Sequence, residues 1–152
     1  MKNINLNSDI GEGFGVYDIG NDTEMLKIVN SANIACGFHA GDPNVMDRVV
    51  KQSIQNGVSI GAHPGFNDLW GFGRRQIQMS TDEIEASVAY QIGALKAISA
   101  TNNAIVTHVK PHGALNNMSS LDPDIAAAIA KGVNLVDPKL ILVAVSGSFL
   151  FS

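Results

Sequence analysis

Short runs of small or β-branched residues alternate along this chain with amphipathic helices that carry explicit start signals. No other feature restricts the fold as tightly. The expected strands are Asn3 to Ile10, Asn33 to Phe38, Val58 to Ala62, Ile105 to Val109 and Leu140 to Val145. Asp22 stands where it can cap a helix carrying Met25, Leu26, Ile28 and Val29. Asp42 followed by Pro43 is an N-cap with a favoured first-turn proline. Behind it, Val45, Met46, Val49, Val50 and Ile54 form one face, and Gly57 is the stop. Ser80 with Glu83 makes a capping box, and Ile84, Val88, Ile92, Leu95 and Ile98 share a side of the helix that follows. Asp122–Pro123 starts a further helix, with Ile125 and Ile129, expected to end near Gly132. Strands alternating with helices pair in parallel through right-handed crossovers. That leaves a barrel or a doubly wound open sheet.

The strands choose between them. Alternate side chains of a strand face opposite ways. Ile4 and Leu6 share one face of the first strand, while Asn5, Asn7 and Asp9 share the other. Ile34, Cys36 and Phe38 oppose Asn33 and His39. Val58, Ile60 and Ala62 oppose Ser59 and His63. Ile105, Thr107 and Val109 oppose His108, Lys110 and His112. A doubly wound sheet is covered on both faces and should be apolar on both. A polar face on strand after strand fits a barrel whose interior is wet, liganded or densely hydrogen-bonded, because an unpaired buried polar group costs roughly 1–3 kcal/mol. The ionisable residues gather at the C-terminal strand ends, where parallel α/β folds place their chemistry.

Composition removes several function classes. The chain of 152 residues has 45% hydrophobic and 16% charged residues, enough for one ordered domain, residues 1–152, with a real core. Its net charge of −4 opposes a nucleic-acid surface. The longest apolar run, Leu140 to Val145, is too short for a bilayer. The N-terminus lacks an apolar signal core, and the single cysteine, Cys36, suits a reducing compartment. A cytoplasmic protein is expected, without nucleic-acid or membrane partners.

Histidines at equivalent strand ends, His39, His63 and His112, mark a functional mouth. Asp9 with Glu12, in the Gly-rich "DIGEGFG", supplies carboxylates suited to acid–base work. That stretch is not a dinucleotide fingerprint, since its glycines run G-x-G-x-G. Lys110 is either an ion-pair partner of Asp9 or an electrophile for a developing oxyanion. No resident catalytic metal is expected; Asp9, His39 and His63 are the set that would hold one. His108 and His112 look like helical ligands, but on a strand they lie about 13 Å apart. The loop "GAHPGFNDLWGFGRR" offers Phe66, Trp70 and Phe72 as a cover, and Arg74 and Arg75 for a carboxylate or phosphate.

The stretches "LNSDIGEGFG", "SANIACGFHAGDP", "IGAHPGFNDLWGFGRR" and "HVKPHGAL" together resemble the LamB/YcsF family. The resemblance implies a (β/α) barrel of the glycoside hydrolase/deacetylase type. It implies the A component of an ATP-dependent 5-oxoprolinase, which opens the lactam of 5-oxo-L-proline to L-glutamate with subunits B and C. ATP is then a co-substrate, with Mg2+ as the divalent ion that accompanies it. Asp9, Glu12, His39, His63, Lys110 and His112 carry over as the catalytic pocket, with Asn7, Asn33, Arg74 and Arg75 as substrate contacts. Asn116–Asn117 departs from the Tyr-Asn usual in the family. Barrels run to about 250 residues, so the chain is expected to hold the N-terminal part of one, truncated after about five strands with an exposed edge at the fifth. The rival readings are a metal-dependent carbohydrate deacetylase-like hydrolase and an inactive truncated fragment.

Overall fold

The structure, a computed structural model, describes residues 4–151. Met1 to Asn3, which include the expected start of the first strand and of the N-terminal segment, lie outside them. Five strands form one parallel sheet: β1 (Asn7–Ile10), β2 (Ser31–Ala35), β3 (Ser59–His63), β4 (Val106–Val109) and β5 (Ile141–Leu142). Their spatial order is β1-β2-β3-β4-β5. Each strand pairs with the next in sequence, as in a barrel wall, and there is no reversal of order of the kind that defines a doubly wound sheet. Among the described residues, β1 and β5 are its two edges.

The connecting helices are α1 (Asp22–Met25), α2 (Pro43–Gln55), α3 (Thr81–Thr101), α4 (Gly113–Ser119) and α5 (Pro123–Val136). The expected caps of the long helices are present. Asp42 accepts from the N–H groups of Asn44 and Val45, Asp122 accepts from Asp124 and Ile125, and Ser80 and Glu83 form the reciprocal box. Val49, Val50, Ile84, Val88 and Ile92 of α2 and α3, with Ile129 of α5, form one buried core with Ile34, Ile60, Ala62 and Val109. Cys36 joins this core, and burial pushes its thiol up to about 12. No helix among the described residues is long and apolar enough to cross a membrane.

Several local expectations are corrected. The first strand is shorter than its pattern, and Ile4 and Leu6 are exposed rather than packed. Asp22 does not cap α1. Asn21 occupies that place, and the Asp22 carboxylate instead accepts the Gly11 N–H at 3.2 Å. α5 continues past Gly132 to Val136. Gly132 is a close approach of α5 to α3, since a Cβ there would lie 2.7 Å from the Glu85 carbonyl oxygen. α4, which starts immediately after His112, has no counterpart in the hydrophobic pattern.

β4 breaks strict alternation. Ile60 pairs with Val106, but Gly61 pairs with His108, so two residues of β4 stand opposite one of β3. Thr107 is the extra residue of a bulge, and its hydroxyl reaches the Ile60 carbonyl at 3.1 Å. The bulge turns Val106 into the core beside Val109 and leaves Ile105 exposed. His108 still points inward. Its ring lies across Gly61, within about 2.1–2.4 Å of where a Cβ would stand.

Candidate active site at the strand mouths

The inner face of the sheet is layered. A cavity of about 420 Å3 at the N-terminal end is lined by Asn5, Asn7, Ser31, Asn33, Ser59 and Thr107, among others. Asn33, fully buried, organises this layer. Its amide nitrogen donates to Asn7 Oδ1 at 2.8 Å and Asp9 Oδ1 at 2.9 Å, and its oxygen accepts from His108 Nε2 at 3.2 Å. All three contacts are with protein, so Asn33 aims Asp9 upward. Burial holds His108 below the ordinary histidine value.

Above it lies the charged layer. Lys110 Nζ donates to Asp9 Oδ1 at 2.6 Å, and Asp9 Oδ2 lies 3.3 Å from His63 Nε2. Burial alone would raise the Asp9 carboxyl. The hydrogen bonds and charges of His63 and Lys110 outweigh it and hold Asp9 far below the usual carboxylate range. Asp9 is therefore an anion at neutral pH. Of the two readings of Lys110, the ion pair with Asp9 is present.

Three histidines cluster at the mouth. The His39 and His112 rings lie parallel, 3.7 Å apart with 6° between their planes, and His63 meets both edge-on. His63 Nδ1 donates to the Lys110 carbonyl at 2.5 Å, and His112 Nε2 donates to the Phe72 carbonyl at 2.7 Å. Since carbonyls only accept, both tautomers are fixed. His39 Nε2 donates to Glu12 Oε1 at 3.0 Å, while His39 Nδ1 is buried with no partner. Burial lowers His39, although Glu12 opposes the shift. Burial first, then the charges of His39 and His63, bring His112 down to about 4.

Local chain geometry builds this cluster. His39 lies within the turn closed by the Gly37 N–H to the Ala40 carbonyl at 2.9 Å. His112 sits at the N-cap of α4, held by its own N–H to the Pro64 carbonyl at 2.8 Å. Phe72 and Gly73 both adopt positive φ, 55° and 62°. A Cβ on Gly73 would come within 2.7 Å of His39 Cβ and 2.9 Å of His112 Cδ2, so only glycine lets the loop lie on the histidine stack.

The long loop after β3 divides its aromatic residues. Phe66 is core, Trp70 is 98% exposed, and Phe72 alone contacts the site, with its ring edge-on to His39 and His112. Arg74 lines a mouth cavity of about 260 Å3 with Asp9, His63, Lys110, His112 and Asn117. Arg75 points elsewhere and is held in a forked contact by Asp68, with Nε 3.0 and 3.1 Å from its two oxygens. Asn7 lies on the lower layer, away from the mouth. The structure thus assembles Asp9, Glu12, His39, His63, Lys110, His112 and Arg74 at one opening.

Glu12, His39, His63 and His112 each offer one ligand atom within 4.8 Å of the others, so the residues fit a cation. This set differs from Asp9, His39 and His63, because Asp9 is engaged by Lys110. The Phe72 carbonyl and Asp68 escaped sequence reading. A backbone acceptor has no residue signature, although Asp68 lies seven residues before Arg75, as a loop clamp would.

Comparison with known proteins identifies the family and the fold. A model of the LamB/YcsF family matches residues 4–152. The chain is 57% identical over 148 residues to the 5-oxoprolinase A chain of Natranaerobius thermophilus, covering 97% of this chain and 58% of that protein. It is 58% identical over 150 residues to the corresponding 5-oxoprolinase component of Geobacillus kaustophilus, covering 99% and 58%. A crystal structure of a lactam utilization protein from Thermus thermophilus superposes with a TM-score of 0.95 at 46% identity, over 97% of this chain and 60% of that one. The chain therefore spans about three fifths of the length of the curated relatives it matches.

Proposed function

Since the chain belongs to the LamB/YcsF family, we propose that it supplies the lactam-opening site of an ATP-dependent 5-oxoprolinase. It would act with B and C subunits to convert 5-oxo-L-proline to L-glutamate. The carrying observation is the mouth cavity, where Asp9 and Lys110 form an ion pair within reach of Arg74 and two histidines of fixed tautomer. The carboxylate and the lactam oxygen of a small anionic amide each have a cationic complement there, Arg74 and Lys110.

A lactam is a stable amide, so phosphorylation of its oxygen is the activating step. The γ-phosphoryl group of ATP moves to the lactam oxygen, the bond to ADP breaks, and the ring nitrogen gives up its proton. Water then adds to the ring carbon. The C–N bond breaks as the nitrogen takes the proton from the added hydroxyl, leaving an acyl phosphate. A second water cleaves it to the carboxylate and inorganic phosphate. Arg74 holds the substrate carboxylate, and Lys110 steadies negative charge on the activated oxygen. Asp9 or His112 receives the proton of the attacking water. Asn33 and Glu12 keep these groups oriented.

The test is release of ADP and L-glutamate that depends on 5-oxo-L-proline, measured with the chain combined with B and C subunits. Lys110→Met lowers turnover by about a hundredfold or more on this reading. Full turnover in that variant refutes the role of Lys110. Substrate-independent ADP release, or none in the active combination, refutes the lactam reading.

A further inference from the structure

We propose that Glu12, His63 and His112 form a binding site for one first-row divalent transition ion, of the three-ligand type that leaves coordination positions open. Each of the two histidines has its outer nitrogen committed. His63 Nδ1 donates to the Lys110 carbonyl and His112 Nε2 to the Phe72 carbonyl. Their inner nitrogens, His63 Nε2 and His112 Nδ1, therefore carry lone pairs when the rings are neutral, and they lie 3.0 Å apart. Glu12 Oε1 completes a triangle, 3.6 Å from His112 Nδ1 and 3.9 Å from His63 Nε2. With Asp9 Oδ2 also 3.3 Å from His63 Nε2, these electron-rich atoms are held together either by a proton on an inner nitrogen or by a metal cation that displaces it.

The separations suit a metal ion. Four-coordinate Zn2+ with bonds of about 2.0–2.1 Å spaces its ligand atoms about 3.3–3.4 Å apart. The triangle edges bracket that value. Histidine ligands that donate the opposite N–H to a backbone carbonyl are the usual support for a bound ion, because the acceptor fixes the tautomer and orientation. Both histidines here have it.

His39 takes a different part. Its ring is parallel to His112 at 3.7 Å, so the two cannot both aim a lone pair at one ion. Instead His39 donates Nε2–H to Glu12 Oε1 and orients that carboxylate. Two imidazoles and one carboxylate select Zn2+, Co2+, Fe2+ or Ni2+ over Mg2+, which prefers an all-oxygen shell. Binding there does not depend on the lactam reading, because it requires neither ATP, nor substrate, nor other chains; a bound ion takes the His112 Nδ1 lone pair and leaves Asp9 as the base.

The experiment uses the whole chain, stripped with a chelator and titrated with Co2+ at neutral pH. The expected result is saturation at one equivalent, with visible absorption bands of a four- or five-coordinate ion that Zn2+ then bleaches. X-ray absorption should show two imidazole ligands. Glu12→Gln and His112→Gln should each weaken binding at least tenfold, with circular dichroism confirming their fold. His108→Gln, which alters a buried histidine outside the triangle, should keep full stoichiometry. The unmutated chain decides the matter even if a variant fails to fold. Absence of stoichiometric Co2+ binding, or equal binding in folded Glu12→Gln and His112→Gln variants, overturns the site.

Discussion

Gly61 and His108 give the sharpest structural test. A methyl group at Gly61 would stand 2.1 Å from His108 Nε2 and 2.2 Å from Cδ2. The obstruction is the body of a buried ring, not the end of a flexible chain. Gly61→Ala must push that ring aside and break its hydrogen bond to Asn33, the residue that aims Asp9. Forcing extra volume into a packed site costs about 1–3 kcal/mol. The sign reverses once the ring is gone. Gly61 lies in β3 and has no positive φ, and alanine is preferred over glycine inside a strand by roughly 0.5–1 kcal/mol. Urea unfolding of the double-mutant cycle separates these effects. Gly61→Ala should destabilise the unmutated chain and be neutral or stabilising in a His108→Ala background. An equal cost in both backgrounds would show that the collision with His108 is not what excludes a side chain at this position.

Two further outcomes follow from the burial and the caps. His39, His108 and His112 are held below their ordinary 6.5, chiefly by burial, so the unfolded chain takes up these protons first as pH falls. Their contribution to stability is complete above 6.5 and is lost on acidification, with the His112 share declining down to about 4. Urea midpoints of metal-free protein should fall between pH 7.5 and 5.5; a constant or rising midpoint contradicts this. Asp42→Ala removes the cap of α2 and the acceptor of the Gly15 N–H at 2.7 Å. It should cost about 1 kcal/mol, with amide exchange accelerating first at Asn44, Val45 and Gly15; unchanged exchange there excludes the capping role.

Much of the site was legible because strand periodicity is a local property. The polar residues Asn7, Asp9, Asn33, His63, His108 and Lys110 share the inner face because a side chain's direction in a strand is set by its parity. The long helices were equally legible, since Asp42–Pro43, the Ser80–Glu83 box and Asp122–Pro123 act within one turn of themselves. The departures occur where a contact between distant segments overrides that local rule. The bulge at Thr107 shifts Val106 into the core, and its partner strand lies some 47 residues away. Gly132 reads as a stop, yet it continues α5 because α3 passes too close for any side chain.

The sequence by itself determined the order of elements, the parallel sheet and the set of polar residues that share its inner face, since each depends on spacing along one segment. Only the tertiary structure decided the partners: Lys110 with Asp9, Arg75 with Asp68, His39 with Glu12, and the two histidine tautomers fixed by the carbonyls of Lys110 and Phe72. Hydrogen bonds and charges act over a few ångströms of space regardless of sequence separation, so which groups meet follows from how the loops close over the strand ends.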